Sequence, residues 1–123
     1  MKTILASCLA ASVLAYEANV PVSGSKACVA NQAGFVLNWW YEDINIGEAT
    51  NTTDNYPIDQ TQCMDFDLSA QGAKSGDFVQ VYVHAVLGTT NVCNTPMIYD
   101  PTGPVLTFTT TGTTLNFSCR LNQ

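Results

Sequence analysis

From Phe78 to Leu87 the chain alternates: Val79, Val81, Val83, Ala85 and Leu87 fall on one face, Phe78, Gln80, Tyr82, His84 and Val86 on the other. A helix would scatter that valine series around its circumference, so the period predicts a β-strand with one face in a core. Phe35 to Asp43 repeats the pattern, with Phe35, Leu37, Trp39 and Tyr41 opposed to Val36, Asn38, Trp40 and Glu42. Shorter apolar runs predict strands at Ala27 to Ala30, Gln62 to Leu68 and Met97 to Tyr99. A closing hairpin is predicted from Val105–Thr110 and Thr113–Leu121 around Thr111-Gly112, with Leu115, Phe117 and Cys119 inward. Between these runs lie turn residues: Asn31 to Gly34, Gln71 to Gly76, Asn91 to Pro96, and Asp100-Pro101-Thr102-Gly103. Asn45 to Asp59, rich in Asn, Thr and Asp, predicts a surface loop, and Tyr56-Pro57 near its end is a candidate cis peptide.

No window holds a helical period. Charged residues make up 11% of the chain, too few to clothe exposed helical faces. Parallel sheets ordinarily need crossover helices, for which there is no room. The expectation is therefore all-β: one antiparallel β-sandwich of about seven short strands.

The cysteines decide how such a small core would be stapled. Residues 1–15 read as a secretory signal peptide: Lys2, an apolar run from Ile4 to Leu14, and small residues before the cut at Ala15. Leu5-Ala6-Ser7-Cys8 resembles a lipobox, but only seven residues precede the cysteine, leaving almost no apolar segment upstream. The run is too short to span a bilayer as a helix. A secreted, extracellular, oxidising location follows, and Cys28, Cys63, Cys93 and Cys119 become disulfide candidates. No CxxC pair is present and the one histidine lies elsewhere, which disfavours a metal site. Four cysteines allow three pairings. Joining the opening strand to the closing one favours Cys28–Cys119, which leaves Cys63–Cys93. The domain plan is a signal at 1–15, an extended arm at 16–25 and the sandwich at 26–123.

Without Lys2 the cations are Lys26, Lys74 and Arg120, against ten acids, a net charge of about −7. Such a chain repels polyanions, so nucleic acid is excluded as a partner, and an anionic membrane surface finds no polybasic patch.

For chemistry, His84 has no nucleophile motif to serve, and no enzyme is expected. No cofactor is expected either. Glu42-Asp43, Asp54 with Asp59, and Asp65 with Asp67 could offer oxygen ligands to Ca²⁺, but no spacing matches an EF-hand. Trp39 and Trp40 are adjacent on one strand, so they cannot enter the same core. Trp40, beside Asn38 and Glu42, either faces outward or lies under a loop. An outward tryptophan among hydrogen-bonding groups suits sugar stacking or a protein contact. Trp40, Asn38 and Glu42, with Asp54 and Tyr56 from the polar loop, are the candidate ligand-binding residues. Asn51-Thr52-Thr53 and Asn116-Phe117-Ser118 are N-glycosylation sequons. Two functions remain: a secreted module binding a glycan or an extracellular protein surface, or a self-assembling homo-oligomer that exchanges its N-terminal arm at a sheet edge.

Overall fold

A computed structural model describes residues 20–122. The signal peptide and the arm upstream of Val20 lie outside the described residues. Within them the protein is all-β, with ten strands in two open sheets and one short 3₁₀ turn at Ser69–Gln71. The strands are β1 (Val22–Gly24), β2 (Lys26–Asn31), β3 (Leu37–Asp43), β4 (Glu48–Ala49), β5 (Gln60–Asp65), β6 (Phe78–Ala85), β7 (Thr90–Val92), β8 (Met97–Tyr99), β9 (Val105–Thr113) and β10 (Asn116–Leu121). The larger sheet runs β1-β8-β6-β3-β4, with β7 continuing beside β6 beyond β8; the smaller runs β10-β9-β2-β5. Among the described residues no helix is long and apolar enough to cross a membrane.

The alternation does what a period of two requires. Leu37, Trp39 and Tyr41 of β3 and Val79, Val81, Val83 and Ala85 of β6 are buried against Ala27, Val29, Leu106 and Phe108 of the smaller sheet. Two tyrosines fasten the layers together. The Tyr41 hydroxyl accepts from the Ala27 amide and donates to the Met64 carbonyl, reaching both β2 and β5. Tyr56 donates to the Val29 carbonyl at 2.6 Å. Each carries an apolar ring into the core and spends its one polar atom on a strand of the opposite sheet. Burial pushes both hydroxyls well above the ordinary tyrosine pKa, so they stay protonated.

Four expectations need correction. First, two strand pairs are parallel: β1 with β8, and β2 with β9. No crossover helix is needed, because the partners come from opposite ends of the chain and intervening strands make the connection. The two segments pass from one sheet to the other side by side, at Gly24-Ser25 and at the Asp100–Pro104 turn. Their backbones meet where Gly103 leaves room for only a 3.2 Å approach between an added Cβ and the Gly24 Cα.

Second, the disulfides are Cys28–Cys63 and Cys93–Cys119. Cys28–Cys119 fails because β9 lies between β2 and β10, placing those strands about 10 Å apart. Cys28 instead sits directly opposite Cys63 in the β2–β5 pair. Cys119 points inward, and its bridge to Cys93 joins the β10 edge of the smaller sheet to the segment after β7 in the larger one. One bridge staples within a sheet and the other between sheets. Two intrachain disulfides are typical of extracellular proteins.

Third, Leu87 and Leu115 are not core residues: they are 90% and 76% exposed. Strand β6 ends at Ala85 and the last hairpin turns at Thr114-Leu115, so the alternating pattern continues past the paired backbone in both places. Fourth, the Tyr56-Pro57 bond is trans.

The polar stretch 45–59 is more ordered than a loop. It runs beside β3 as an irregular edge. Thr50 and Thr53 donate their amides to the Tyr41 and Trp39 carbonyls, and their hydroxyls accept the Tyr41 and Trp39 amides, each at 3.1 Å. Threonine oxygens thus stand in for ladder carbonyls and cover the edge of β3.

At the far end of β3, Asp43 is fully buried beside Asp77, itself 8% exposed. Asp43 Oδ1 accepts from the Asn45 amide, while its Oδ2 has no hydrogen-bond partner among the described residues. Asp77 Oδ2 accepts from the Lys74 amide. Burial, and then the neighbouring Asp77 carboxyl, push the Asp43 pKa up from 3.8 to about 6, while Asp77 is lowered by the facing Asp43 carboxyl and by the Lys74 amide. The opposite shifts mean that the pair's proton stays on Asp43 while Asp77 ionises.

Candidate functional site

Among the described residues no layer covers the outer face of the larger sheet, and the register of its central strands builds a continuous surface there. Antiparallel pairing sets Asn38 opposite His84, Trp40 opposite Tyr82 and Glu42 opposite Gln80. Strand β7 extends these rows, with Thr90 beside His84 and Val92 beside Tyr82. Since directly opposed side chains lie close, each row is a contact pair.

The centre is aromatic. Trp40 and Tyr82 lie with ring centroids 5.7 Å apart and planes 8° from parallel. The surround is polar. Asn38 Nδ2 donates to Asn55 Oδ1 at 2.8 Å, carrying a second amide from the β3-edge segment onto the face. The Tyr82 hydroxyl donates to Gln80 Oε1 at 2.9 Å and lies 3.4 Å from Glu42 Oε1. Burial and the Glu42 carboxylate raise the Tyr82 pKa, so the phenol remains a neutral donor. His84 Nδ1 is 2.9 Å from Thr90 Oγ1. Amide, hydroxyl and carboxylate groups therefore ring two half-buried aromatic side chains, fixed by neighbours on a rigid sheet.

Three of the five residues expected at a binding site, Asn38, Trp40 and Glu42, meet on this face. Trp40 faces outward beside Tyr82 rather than into the core that holds Trp39. Asp54 is exposed on the segment along β3, next to Asn55. Tyr56 is a correction: at 1% exposure, with its hydroxyl committed to Val29, it belongs to the core. Tyr82, Gln80 and Asn55 join the face without having been expected there. Alternation along β6 already places Tyr82 and Gln80 on the outer face; only the β3–β6 register brings them to Trp40 and Glu42.

The acids separate rather than converge. Asp43 turns inward and Glu42 outward, and Asp65 and Asp67 line a polar groove of about 400 Å³ with Thr50, Asn51 and Gln71. Among the described residues no group of three or more His, Cys, Asp or Glu side chains could hold a metal ion. Asn51 and Asn116, the two sequon asparagines, are both exposed.

No protein-family model matches the chain, and no curated protein matches it. A solved structure that it does match is that of a disulfide-locked mutant of intermedilysin with human CD59. The identity is 16% and the TM-score 0.42, over 80% of this chain and 24% of that one. The chain thus spans about a quarter of the length of the protein it matches, and a likeness at this level carries no argument about fold or function.

Proposed function

We propose that this chain is a secreted, non-catalytic β-sandwich module that binds a glycan on the outer face of its larger sheet. The observation that carries the reading is the Trp40–Tyr82 pair on a face that no other described residues cover, surrounded by Asn38, Asn55, Gln80 and Glu42. Aromatic faces pack against the apolar face of a sugar ring, and the amides and the carboxylate offer both donors and acceptors to its hydroxyls. Net charge −6 and the Glu42 carboxylate favour neutral over acidic sugars. Two disulfides and an acidic surface fit the extracellular medium, and exposed Asn51 is the sequon we assign as its glycan carrier.

The test is a glycan array with the oxidised protein, followed by calorimetry on any hit with Trp40→Ala and Tyr82→Ala. Loss of binding of tenfold or more in Trp40→Ala, with the circular dichroism spectrum unchanged, is the expected result. An array without hits, or a Trp40→Ala protein that binds like the parent, refutes the reading. The strand-exchange alternative is weaker, because Val22–Gly24 of the arm already pairs with β8 of its own chain.

A further inference from the structure

Three segments meet at the end of the molecule where β6 finishes: the loops at residues 32–36 and 86–89, and residues 111–115, the end of β9 with its turn into β10. Their sequences, Gln-Ala-Gly-Phe-Val, Val-Leu-Gly-Thr and Thr-Gly-Thr-Thr-Leu, contain no charged residue in a chain of net charge −6. Backbone bonds tie them together, from the Gly34 amide to the Gly112 carbonyl at 3.1 Å and from the Val86 amide to the Val36 carbonyl at 3.0 Å. Gly88 packs so tightly on the last loop that a Cβ there would stand 2.3 Å from Thr114 Cγ2. Buried Asn31 braces the first loop, with Nδ2 donating to the Phe35 carbonyl and Oδ1 accepting the Ala33 amide. From this fixed base Leu87 and Leu115 project almost wholly into solvent, with Val36 40% exposed beside an apolar groove of about 360 Å³ lined by Phe35, Val36, Val86 and Leu87.

We propose that this tip docks on a zwitterionic lipid surface, with Leu87, Leu115 and Val36 entering the boundary between headgroups and acyl chains. Two observations choose lipid over a second copy of the chain. Three aliphatic side chains offer on the order of 300 Å², far below the roughly 1,200–2,000 Å² of a stable protein interface. Partitioning onto a bilayer grows with the apolar area buried and has no comparable threshold, so a few protruding aliphatic side chains suffice for weak, reversible binding. The absence of charge in the loops means that insertion strips water from no ion, and the acidic remainder of the protein selects against anionic headgroups. Asn116 follows Leu115 directly, so a glycan there would hold the tip off the membrane; the protein that docks is unmodified at Asn116.

The experiment is sedimentation of the oxidised protein, made in a host without N-glycosylation, with dioleoylphosphatidylcholine vesicles. Parallel arms contain added phosphatidylserine or 0.5 M salt. The parent is expected to partition onto neutral vesicles, independently of salt and more weakly onto anionic ones. Leu87→Ser with Leu115→Ser is expected to lower partitioning at least tenfold without changing the melting temperature, since neither side chain packs in the core. Val105→Ser, which alters an exposed valine outside these loops, is expected to bind as the parent does. A parent protein that stays in the supernatant, or a double variant that binds equally, overturns the proposal. So does a lipid-free dimer in analytical ultracentrifugation that the double variant abolishes, which would assign the tip to a second copy.

Discussion

Replacing Asp43 by asparagine isolates the buried carboxyl pair. In the folded protein Asp43 holds its proton up to a pKa of about 6, against an ordinary value of 3.8. A raised folded-state pKa means that the folded chain binds the proton more tightly than the unfolded one. The resulting stability is complete below pH 4 and is lost as pH rises through 6. Between pH 4.5 and 7.5 that amounts to about 2 kcal/mol for a fully desolvated pair. Asp77 reaches the surface, so screening reduces the expectation to about 1 kcal/mol. The Asp77 shift runs downward, so its own contribution is present above the ordinary carboxylate range and changes little across this window. The substituted side chain would be neutral throughout, its amide nitrogen placed to donate to Asp77 and its oxygen to keep the Asn45 amide. Urea unfolding at both pH values measures the effect. The Asp43→Asn variant is expected to be within about 0.5 kcal/mol of the parent at pH 4.5 and about 1 kcal/mol more stable at pH 7.5. A variant destabilised equally at both pH values would refute the reasoning, because it would show that the parent carboxylate is well solvated or paired when ionised.

Three further outcomes follow from the packing. Tyr41→Phe leaves the Met64 carbonyl and the Ala27 amide without their inter-sheet partner, and is expected to cost about 1–3 kcal/mol in urea unfolding. Gly24→Ala drives a Cβ to 2.7 Å from Leu106 Cγ at the crossing between sheets; a loss of about 1–3 kcal/mol is expected, and none would show that the crossing is loose. Non-reducing peptide mapping should recover Cys28 linked to Cys63 and Cys93 linked to Cys119, whereas Cys28 linked to Cys119 would contradict the order of strands in the smaller sheet.

Local alternation was enough to locate β3, β6 and β8 and to assign Leu37, Trp39, Tyr41, Val79, Val81, Val83 and Ala85 to the core, because a strand with one buried face writes its period into consecutive residues. It could not stop a strand. Leu87 and Leu115 extend the pattern beyond the last paired backbone, where solvent and not a sheet surrounds them. Nor could it order strands. The cysteine pairing depended on whether β9 or β10 lies beside β2, a choice made by contacts some 80 residues apart in sequence. Tyr56 was hidden for a related reason: its neighbours are polar because the segment is an exposed edge, and only its bridge to Leu37 turns the ring inward. At the candidate site, Trp40, Asn38 and Glu42 share one strand and were legible together. Tyr82, Gln80 and Asn55 joined them through register and a side-chain bond, neither of which is local.

Recognition through the Trp40–Tyr82 face is tested most directly by titrating an array-selected glycan into ¹⁵N-labelled protein and reading the two indole Nε1–H signals. The Trp40 indole and the side-chain amides of Asn38 and Asn55 are expected to shift, while the Trp39 indole, sealed in the core, stays in place. Shifts confined to other surfaces, with the Trp40 indole unmoved at saturation, would contradict it.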